Sequence, residues 1–436
     1  MNKVTIGILR ETKIPVDNRV PFTPTSIARI KELYPNIRFV VESSDVRAFK
    51  DAEYEAVGCE IVRDLVPSAC DLMFGVKEVA LDHLHPYGHY VFFSHIAKEQ
   101  PYNRELANRM HELGITLTDY EYLVNHEGKR IVAFGFWAGV VGCYNTLRLA
   151  GLKSRKYTLP EANPDTFTLD ELEKAIKENA KAIRESHMRI LITGTGNVSE
   201  GAQYVLHQLV GMISVHVDVF KHVVDRFGSY YAVAGTKDLV KSKFGDGYKR
   251  ESFHSHPERY CSRFDEFAPK TDVLICCHSW EPGMPEYLTP ELAFSDKSAI
   301  KIVGDITCDI RGSICTTLRP STHDDPFYGV RMEKTVRHTE GGLVEEERRR
   351  LEECAAWCPD CISVMAVDTC PNAIPRESSE DFSHQLEMSI VTWMAHKNDP
   401  ENPCRYAQQQ IDDATILREG VVTEKFAYLE DFVYNG

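Results

Sequence analysis

The chain has no apolar run long enough to cross a bilayer. Its longest, residues 131–144, is about 14 residues and rich in glycine, against the roughly 20 that a spanning helix needs. It also lacks an excess of positive charge, since 50 basic residues face 65 acidic ones for a net charge of −15. A nucleic-acid partner, which is met by a basic face, is therefore not expected; no membrane partner is expected either, and a small organic substrate is. Residues 1–6 hold no charged segment followed by an apolar one, so no secretory leader is expected. The 13 cysteines are odd in number and lack the spacing of a secreted disulfide framework. Reduced thiols in a cytoplasmic protein are the expectation. Internal repeats and low-complexity tracts are missing too. What remains is a 436-residue chain with an ordinary 43% hydrophobic and 26% charged content, long enough for two or three domains with sizeable cores.

What the chain does have is a set of short apolar runs that each end on a chemically able residue. Segments 72–77, 90–95, 115–121 and 302–309 end on Lys77, His95, Glu121 and Asp309. Buried parallel strands read as continuous apolar runs, and ligands sit outside the carboxyl ends of such strands.

Residues 1–120 alternate strand-like runs (4–9, 38–42, 72–76, 90–93, 116–118) with helical stretches, among them 24–33, capped at Thr23 or Thr25. A long apolar helix is expected over 131–152. Its small residues Ala133, Gly135, Ala138, Gly139 and Gly142 allow close approach and place it between two domains. Thr168 and Glu171 form a capping-box pattern that opens an exposed amphipathic helix reaching 185. A second α/β region starts at Met188, with strands over 189–192, 214–217, 273–277 and 302–304 and a helix over 200–209. The run from Glu345 to Arg350 reads as a solvated surface helix, with Glu345/Arg349 and Glu346/Arg350 at i,i+4 spacing. Alternation of this kind indicates α/β architecture with mostly parallel sheets.

Thr193-Gly194-Thr195-Gly196-Asn197-Val198-Ser199-Glu200-Gly201 follows a strand pattern and opens a helix pattern, which is the context a dinucleotide turn requires. Gly194 and Gly196 allow the tight turn and the close approach of a pyrophosphate. Ser199 stands where the usual pattern has its third glycine, and Gly201 follows two positions later. The helix start at Asn197 and Val198 offers N–H groups to phosphate. Asp218 lies roughly 20 residues further on, where an acid that binds a ribose 2′-hydroxyl belongs. That favours NAD, while Lys221 and His222 nearby would suit the 2′-phosphate of NADP. The bland reading is a strand–turn–helix without ligand.

Lys77 and His95 end neighbouring strand candidates. A lysine in a dry cleft and an imidazole can together move protons at an amine or carbonyl carbon; the bland readings are a snorkelling lysine and a satisfied core histidine. Arg19 and Arg130 are candidates for bidentate binding of substrate carboxylates, or plain surface arginines. Glu78 and Glu121 are placed to pair with Lys77 and hold its charge. Asp305 and Asp309 either contact the nicotinamide ribose or cap a turn. Cys354, Cys358 and Cys361 have C-x3-C-x2-C spacing, with Cys370 beyond. A zinc or iron–sulfur site would use such a set, but the cysteines trail a charged segment beside a nicotinamide-type pattern, and no metal is expected.

Taken together, the blocks resemble the saccharopine dehydrogenase and lysine–2-oxoglutarate reductase family. They are the opening Arg10-Glu11-Thr12-Lys13 with Arg19 and Thr23-Pro24, then Gly75-Val76-Lys77, Phe93-Ser94-His95 and Arg130 to Gly139. The glycine turn, His256-Pro257-Glu258-Arg259-Tyr260, Ser262-Arg263-Phe264 and Gly304-Asp305-Ile306 complete them. The reductase domain of the bifunctional enzyme is the nearer likeness, to about residue 314 and again over 368–382. The resemblance implies an α/β fold of two Rossmann-like domains with parallel sheets and an interdomain cleft. Residues 1–135 plus about 365–436 would form the substrate-side domain. Residues 136–364 would bind the dinucleotide, with an inserted Cys-rich segment at about 335–362. It implies Lys77 and His95 as the acid–base pair, Arg19 and Arg130 on substrate carboxylates, Glu78 and Glu121 tuning the pair, and Asp309 near the nicotinamide. Cofactor-binding residues would be Gly194, Gly196, Asn197, Val198, Ser199, Asp218, Asp305 and Asp309, with NAD or NADP as cofactor. Substrates would be saccharopine, lysine and 2-oxoglutarate. With no second dehydrogenase domain in the sequence, one half of the bifunctional pathway is expected. The family's Ser-Ala-Asp-Thr is here Thr307-Cys308-Asp309-Ile310. An alanine-dehydrogenase-like enzyme and a catalytically silent nucleotide-binding module are the alternatives.

Overall fold

Helix starts follow the capping chemistry written in the chain. The Thr23 hydroxyl accepts the N–H of Ser26 at 3.1 Å and Pro24 takes the first helical position, so a helix runs Pro24–Leu33. Thr168 accepts from the N–H of Glu171, whose carboxylate accepts the Thr168 N–H in return, and the helix Leu169–Arg184 follows. The computed structural model describes residues 3–222, 228–338, 344–396 and 405–435. In chain order its strands are β1 Val4–Ile8, β2 Ile37–Glu42, β3 Glu60–Val62, β4 Leu72–Phe74, β5 His89–Phe92 and β6 Thr116–Asp119. They continue with β7 Arg189–Thr193, β8 Ile213–Ser214, β9 Tyr230–Ala234, β10 Val240–Ser242, β11 Tyr260–Ser262 and β12 Val273–Cys276. The last are β13 Ile302–Asp305, β14 Phe327–His338, β15 Val344–Cys354, β16 Ile362–Met365, β17 Thr415–Arg418 and β18 Val421–Val422.

The chain divides into two units, residues 1–134 with 374–436, and residues 135–373. In the first, the sheet order is β18-β17-β6-β5-β4-β1-β2-β3. Strands β1 to β6 are all parallel, in the doubly wound order; β17 adds antiparallel to β6. Ile6, Ile8, Phe74, Val91, Phe92 and Leu117 are fully buried in its core, as expected for parallel strands covered on both faces.

The second unit has the order β15-β14-β16-β13-β12-β7-β9-β8. Here β14 pairs antiparallel with both β16 and β15, so each sheet is parallel at its centre and antiparallel at one edge. The strand that follows β7 in sequence, β8, lies outside β9, and β9 is the direct neighbour of β7. The helix Gly135–Ser154 is buried from Gly139 to Gly151. It crosses the helix after the glycine turn through two glycines. A Cβ on Gly139 would stand 1.9 Å from the Val198 carbonyl oxygen, and one on Gly201 1.9 Å from that of Phe136.

Several expectations are corrected. The segment from Glu345 to Arg350 is strand β15, not a helix. The register sets Glu333 opposite Arg350 and Arg331 opposite Glu352, the latter pair bonded at 2.9 Å. Opposite charges thus meet across a hairpin instead of along a helix. The long apolar helix starts at Gly135 rather than 131 and belongs to the second unit. The strand expected over 214–217 stops at Ser214, because His216 caps a short helix, Val217–Phe220. Among the described residues no helix is long and apolar enough to cross a membrane.

The glycine crossing is testable. Gly139→Val forces a side chain into backbone and is expected to destabilise the protein by about 1–3 kcal/mol, read as a lower midpoint in denaturant. An unchanged midpoint would refute the close crossing.

Candidate active site

Because β1, β4, β5 and β6 are parallel neighbours, the segments that leave their carboxyl ends emerge along one edge of the first sheet. Residues 9–13 leave β1, Lys77 and Glu78 follow β4, Ser94 and His95 follow β5, and Glu121 follows β6. His95 holds φ at 53°, in the left-handed region that non-glycine residues seldom occupy. Its Nδ1 is 2.7 Å from Glu78 Oε1, and the other Glu78 oxygen is 3.1 Å from the Lys13 ammonium. Burial works against charge on Glu78, but the hydrogen bond and charge of His95 and the charge of Lys13 bring its carboxyl down to about 2. Glu121 is likewise buried yet held below the usual carboxylate range by Arg130 at 2.8 Å and Lys98 at 3.0 Å.

Glu78 and Glu121 therefore pair with His95, Lys13, Lys98 and Arg130, and not with Lys77 as the sequence reading had it. Among the described residues the Lys77 ammonium has no hydrogen-bond or ion-pair partner. Its backbone N–H donates to Glu11 Oε2 at 2.9 Å, while that of Val76 donates to Glu11 Oε1 at 2.6 Å. Burial, then the charge of Asp17, pushes the Glu11 carboxyl up to about 8. Asp17 stays ionised below its usual range despite burial, held by Arg19 and then by the charge of Lys77. Arg19 donates from Nε and Nη2 to both Asp17 oxygens and lies 4.2 Å from the centre of the Phe134 ring. Arg130 keeps half of its side chain exposed.

In the second unit the glycine turn has the form a pyrophosphate needs. Gly194 takes φ +90°, where a Cβ would strike the Cys277 carbonyl oxygen at 2.6 Å; a Cβ on Gly196 would meet nothing within 4 Å. The turn is thus closed on its strand side and open at Gly196, before the helix start at Asn197 and Val198. A nucleotide fits these residues. Ser199 is fully buried, and Gly201 supplies the close helix packing expected of the third glycine. Asp305 caps a turn: its oxygens accept from Thr307, Cys308 and Thr317, and burial raises its carboxyl. Asp309 lies in the loop after β13, its carbonyl accepting the Gly312 N–H at 2.9 Å. Asp218 sits in the short helix Val217–Phe220 with 77% of its side chain exposed and His216 at 3.6 Å. Cys354, Cys358, Cys361 and Cys370 form no disulfide, and no group of three or more acidic, histidine or cysteine residues among the described ones is arranged for a metal.

Sequence reasoning passed over Glu11, Lys13, Asp17, Lys98 and His278. The first three follow β1, and nothing in the sequence says that β1 neighbours β4. His278 follows β12, next to β7, and is fully buried between the Thr193 and Ser313 hydroxyls, each at 2.7 Å. A Cβ on Gly194 would come within 2.8 Å of the His278 Cα, so His278 backs the glycine turn. Burial lowers the imidazole from its usual 6.5 to about 3. Unfolded chains take up its proton first, so this contribution to stability is whole above pH 6.5 and lost as pH falls towards 3. His278→Asn is expected to flatten the acid side of the stability–pH curve in that window, measured by denaturant melts; parallel curves would refute it.

The alanine dehydrogenase/PNT N-terminal domain family matches residues 7–141. The chain is 31% identical to the alpha-aminoadipic semialdehyde synthase of Arabidopsis thaliana over 97% of this chain and 41% of that protein. It is 28% identical to the mitochondrial alpha-aminoadipic semialdehyde synthase of Rattus norvegicus, over 98% of this chain and 48% of the other. The chain thus spans less than half the length of these curated relatives. A lysine-forming NAD(+) saccharopine dehydrogenase of Neurospora crassa is 24% identical, covering 91% of this chain and 93% of its own. Among solved structures, an L-alanine dehydrogenase superposes with a TM-score of 0.60 at 14% identity over 99% of both chains. The chain therefore has the two-unit Rossmann-like fold of alanine dehydrogenase and resembles, over nearly its whole length, semialdehyde synthases and saccharopine dehydrogenases.

Proposed function

We propose that this chain is a nicotinamide-dependent oxidoreductase that interconverts saccharopine with lysine plus 2-oxoglutarate. The observation that carries the reading is the pairing, along one sheet edge, of an unpartnered Lys77 ammonium with a His95 imidazole held by Glu78. Likeness to saccharopine dehydrogenases and semialdehyde synthases supports the substrate.

In this reading Glu78 accepts the Nδ1 proton of His95 and leaves Nε2 as the base. As the neutral ε-amine of lysine attacks the ketone carbon of 2-oxoglutarate, the C–N bond forms, the C=O π pair moves onto oxygen, and His95 takes the proton the nitrogen sheds and returns it to that oxygen, giving the carbinolamine. Lys77 then gives a second proton to the carbinol oxygen, the C–O bond breaks as the nitrogen lone pair closes the C=N bond, and water leaves a protonated imine. A nicotinamide, when bound, would supply hydride to the imine carbon or take it up in the reverse direction. Gly194, Gly196, Asn197 and Val198 would hold its pyrophosphate. Arg130, half-exposed beside Glu121, faces a substrate carboxylate in this reading. Arg19, whose fork is on Asp17, fixes the loop instead.

Lys77→Met and His95→Gln are each expected to lower turnover by about 10²–10⁴-fold with nucleotide binding kept, measured as nicotinamide absorbance change on saccharopine and on lysine plus 2-oxoglutarate. Full turnover in the double variant would overturn the reading. The match of residues 7–141 to the alanine dehydrogenase/PNT family favours a second one, an alanine-type dehydrogenase. Turnover of alanine but not saccharopine would select it, and nucleotide binding without turnover of either would select a silent binding module.

A further inference from the structure

We infer that Asp238, and not Asp218, reads the adenosine ribose of the bound nucleotide and makes this site selective for NAD(H) over NADP(H). The inference rests on the nucleotide-dependent reading above and adds which nucleotide. In a doubly wound sheet, the ribose is met by an acid at the carboxyl end of the strand beside the one that leads into the glycine turn. Spacing along the chain points to Asp218, but the sheet does not. The neighbour of β7 is β9, and β8 lies one place further out.

Strand β9 ends at Ala234, whose carbonyl accepts the Gly194 N–H at 2.8 Å and so joins the two turns. Next comes Gly235. A Cβ built there would stand 3.4 Å from Thr195 Cγ2 and 3.6 Å from Asp238 Oδ2, so a residue of the glycine turn and the Asp238 carboxylate flank the same point. Asp238 Oδ2 also accepts the Gly235 N–H at 2.9 Å, which fixes the carboxylate beside the turn. It is partly exposed, as a group that meets a ligand must be.

The charges around it disfavour a 2′-phosphate. Arg263, a natural phosphate fork, has Nε and Nη2 on Glu266 at 2.8 and 2.9 Å, and Lys221 reaches the same Glu266 at 2.8 Å. Two cations are therefore engaged by one acid, while Asp238 and Asp218 both act electrostatically on Arg263. Lys237 is exposed beside Asp238. A ribose diol finds an acceptor here; a phosphate dianion finds carboxylates.

The test is titration of the full chain with NADH and with NADPH, without substrate, followed by nicotinamide fluorescence or calorimetry. Wild type is expected to bind NADH at least about tenfold more tightly than NADPH. Asp238→Ser should weaken NADH by about tenfold and narrow or invert the ratio. Asp238→Asn keeps an acceptor for the Gly235 N–H and should narrow the ratio as well, which secures a result if the serine variant does not fold. Asp218→Asn should leave the ratio unchanged. Tighter NADPH binding by wild type, a ratio indifferent to both Asp238 variants, a ratio that collapses in Asp218→Asn, or no binding of either nucleotide would overturn the inference. The expected binding pattern without saccharopine turnover would sink the proposed reaction and leave the inference standing. Saccharopine turnover with an indifferent ratio would do the reverse.

Discussion

Four adjacent strands of the first unit run in one direction, and the charged groups around Lys77 and His95 depend on that. Parallel β1, β4, β5 and β6 send their carboxyl ends to a single edge. Residues far apart in sequence, Glu11, Lys77, His95 and Glu121, then leave the sheet side by side. If β4 ran antiparallel to β1, the N–H groups of Val76 and Lys77 would leave the opposite edge, away from Glu11. Placement by direction needs little from the loops themselves, which is why such short strands suffice; β4 has three residues.

Along this edge each buried acid has its own cations or donors. Glu78 lies between His95 and Lys13, Glu121 between Lys98 and Arg130, and Asp119 between the N–H and hydroxyl of Ser94. Removing one cation from such a pair leaves a buried charge uncompensated and costs more than the pair itself contributes. The acids therefore hold the bases in position as much as they hold charge. For His95 this goes further, because a carboxylate on Nδ1 decides which nitrogen carries the proton.

The sequence made the strand ends legible, since apolar runs closing on Lys77, His95 and Glu121 mark both the element and the edge. The glycine turn was legible because its residues are contiguous. Neighbour relations were not. Nothing local says that β1 adjoins β4, so Glu11, Lys13 and Asp17 carried no signal beyond the family's opening block. Nothing says that β9, and not β8, is the neighbour of β7. The stretch from Glu345 to Arg350 fails for a related reason: alternating blocks of charge suit i,i+4 pairs and cross-strand pairs equally. Only the partner strand, with Arg331 and Glu333 in register, decides between them.

Glu11 and Asp17 show how the fold sorts two acids into different states. Asp17 is buried and Glu11 is partly buried beside the segment that carries Lys77, and two like charges there would repel. Arg19, and next the charge of Lys77, keep Asp17 ionised; burial, and then the charge of Asp17 itself, keep Glu11 protonated to about pH 8. Separation of this kind assigns roles to groups that are chemically alike. Asp17 supplies the fixed negative charge, shared with Arg19, and Glu11 supplies hydrogen-bond acceptors to the backbone under Lys77. The ammonium then faces one buried anion rather than two, and the loop that carries it is held by hydrogen bonds that do not depend on a second charge.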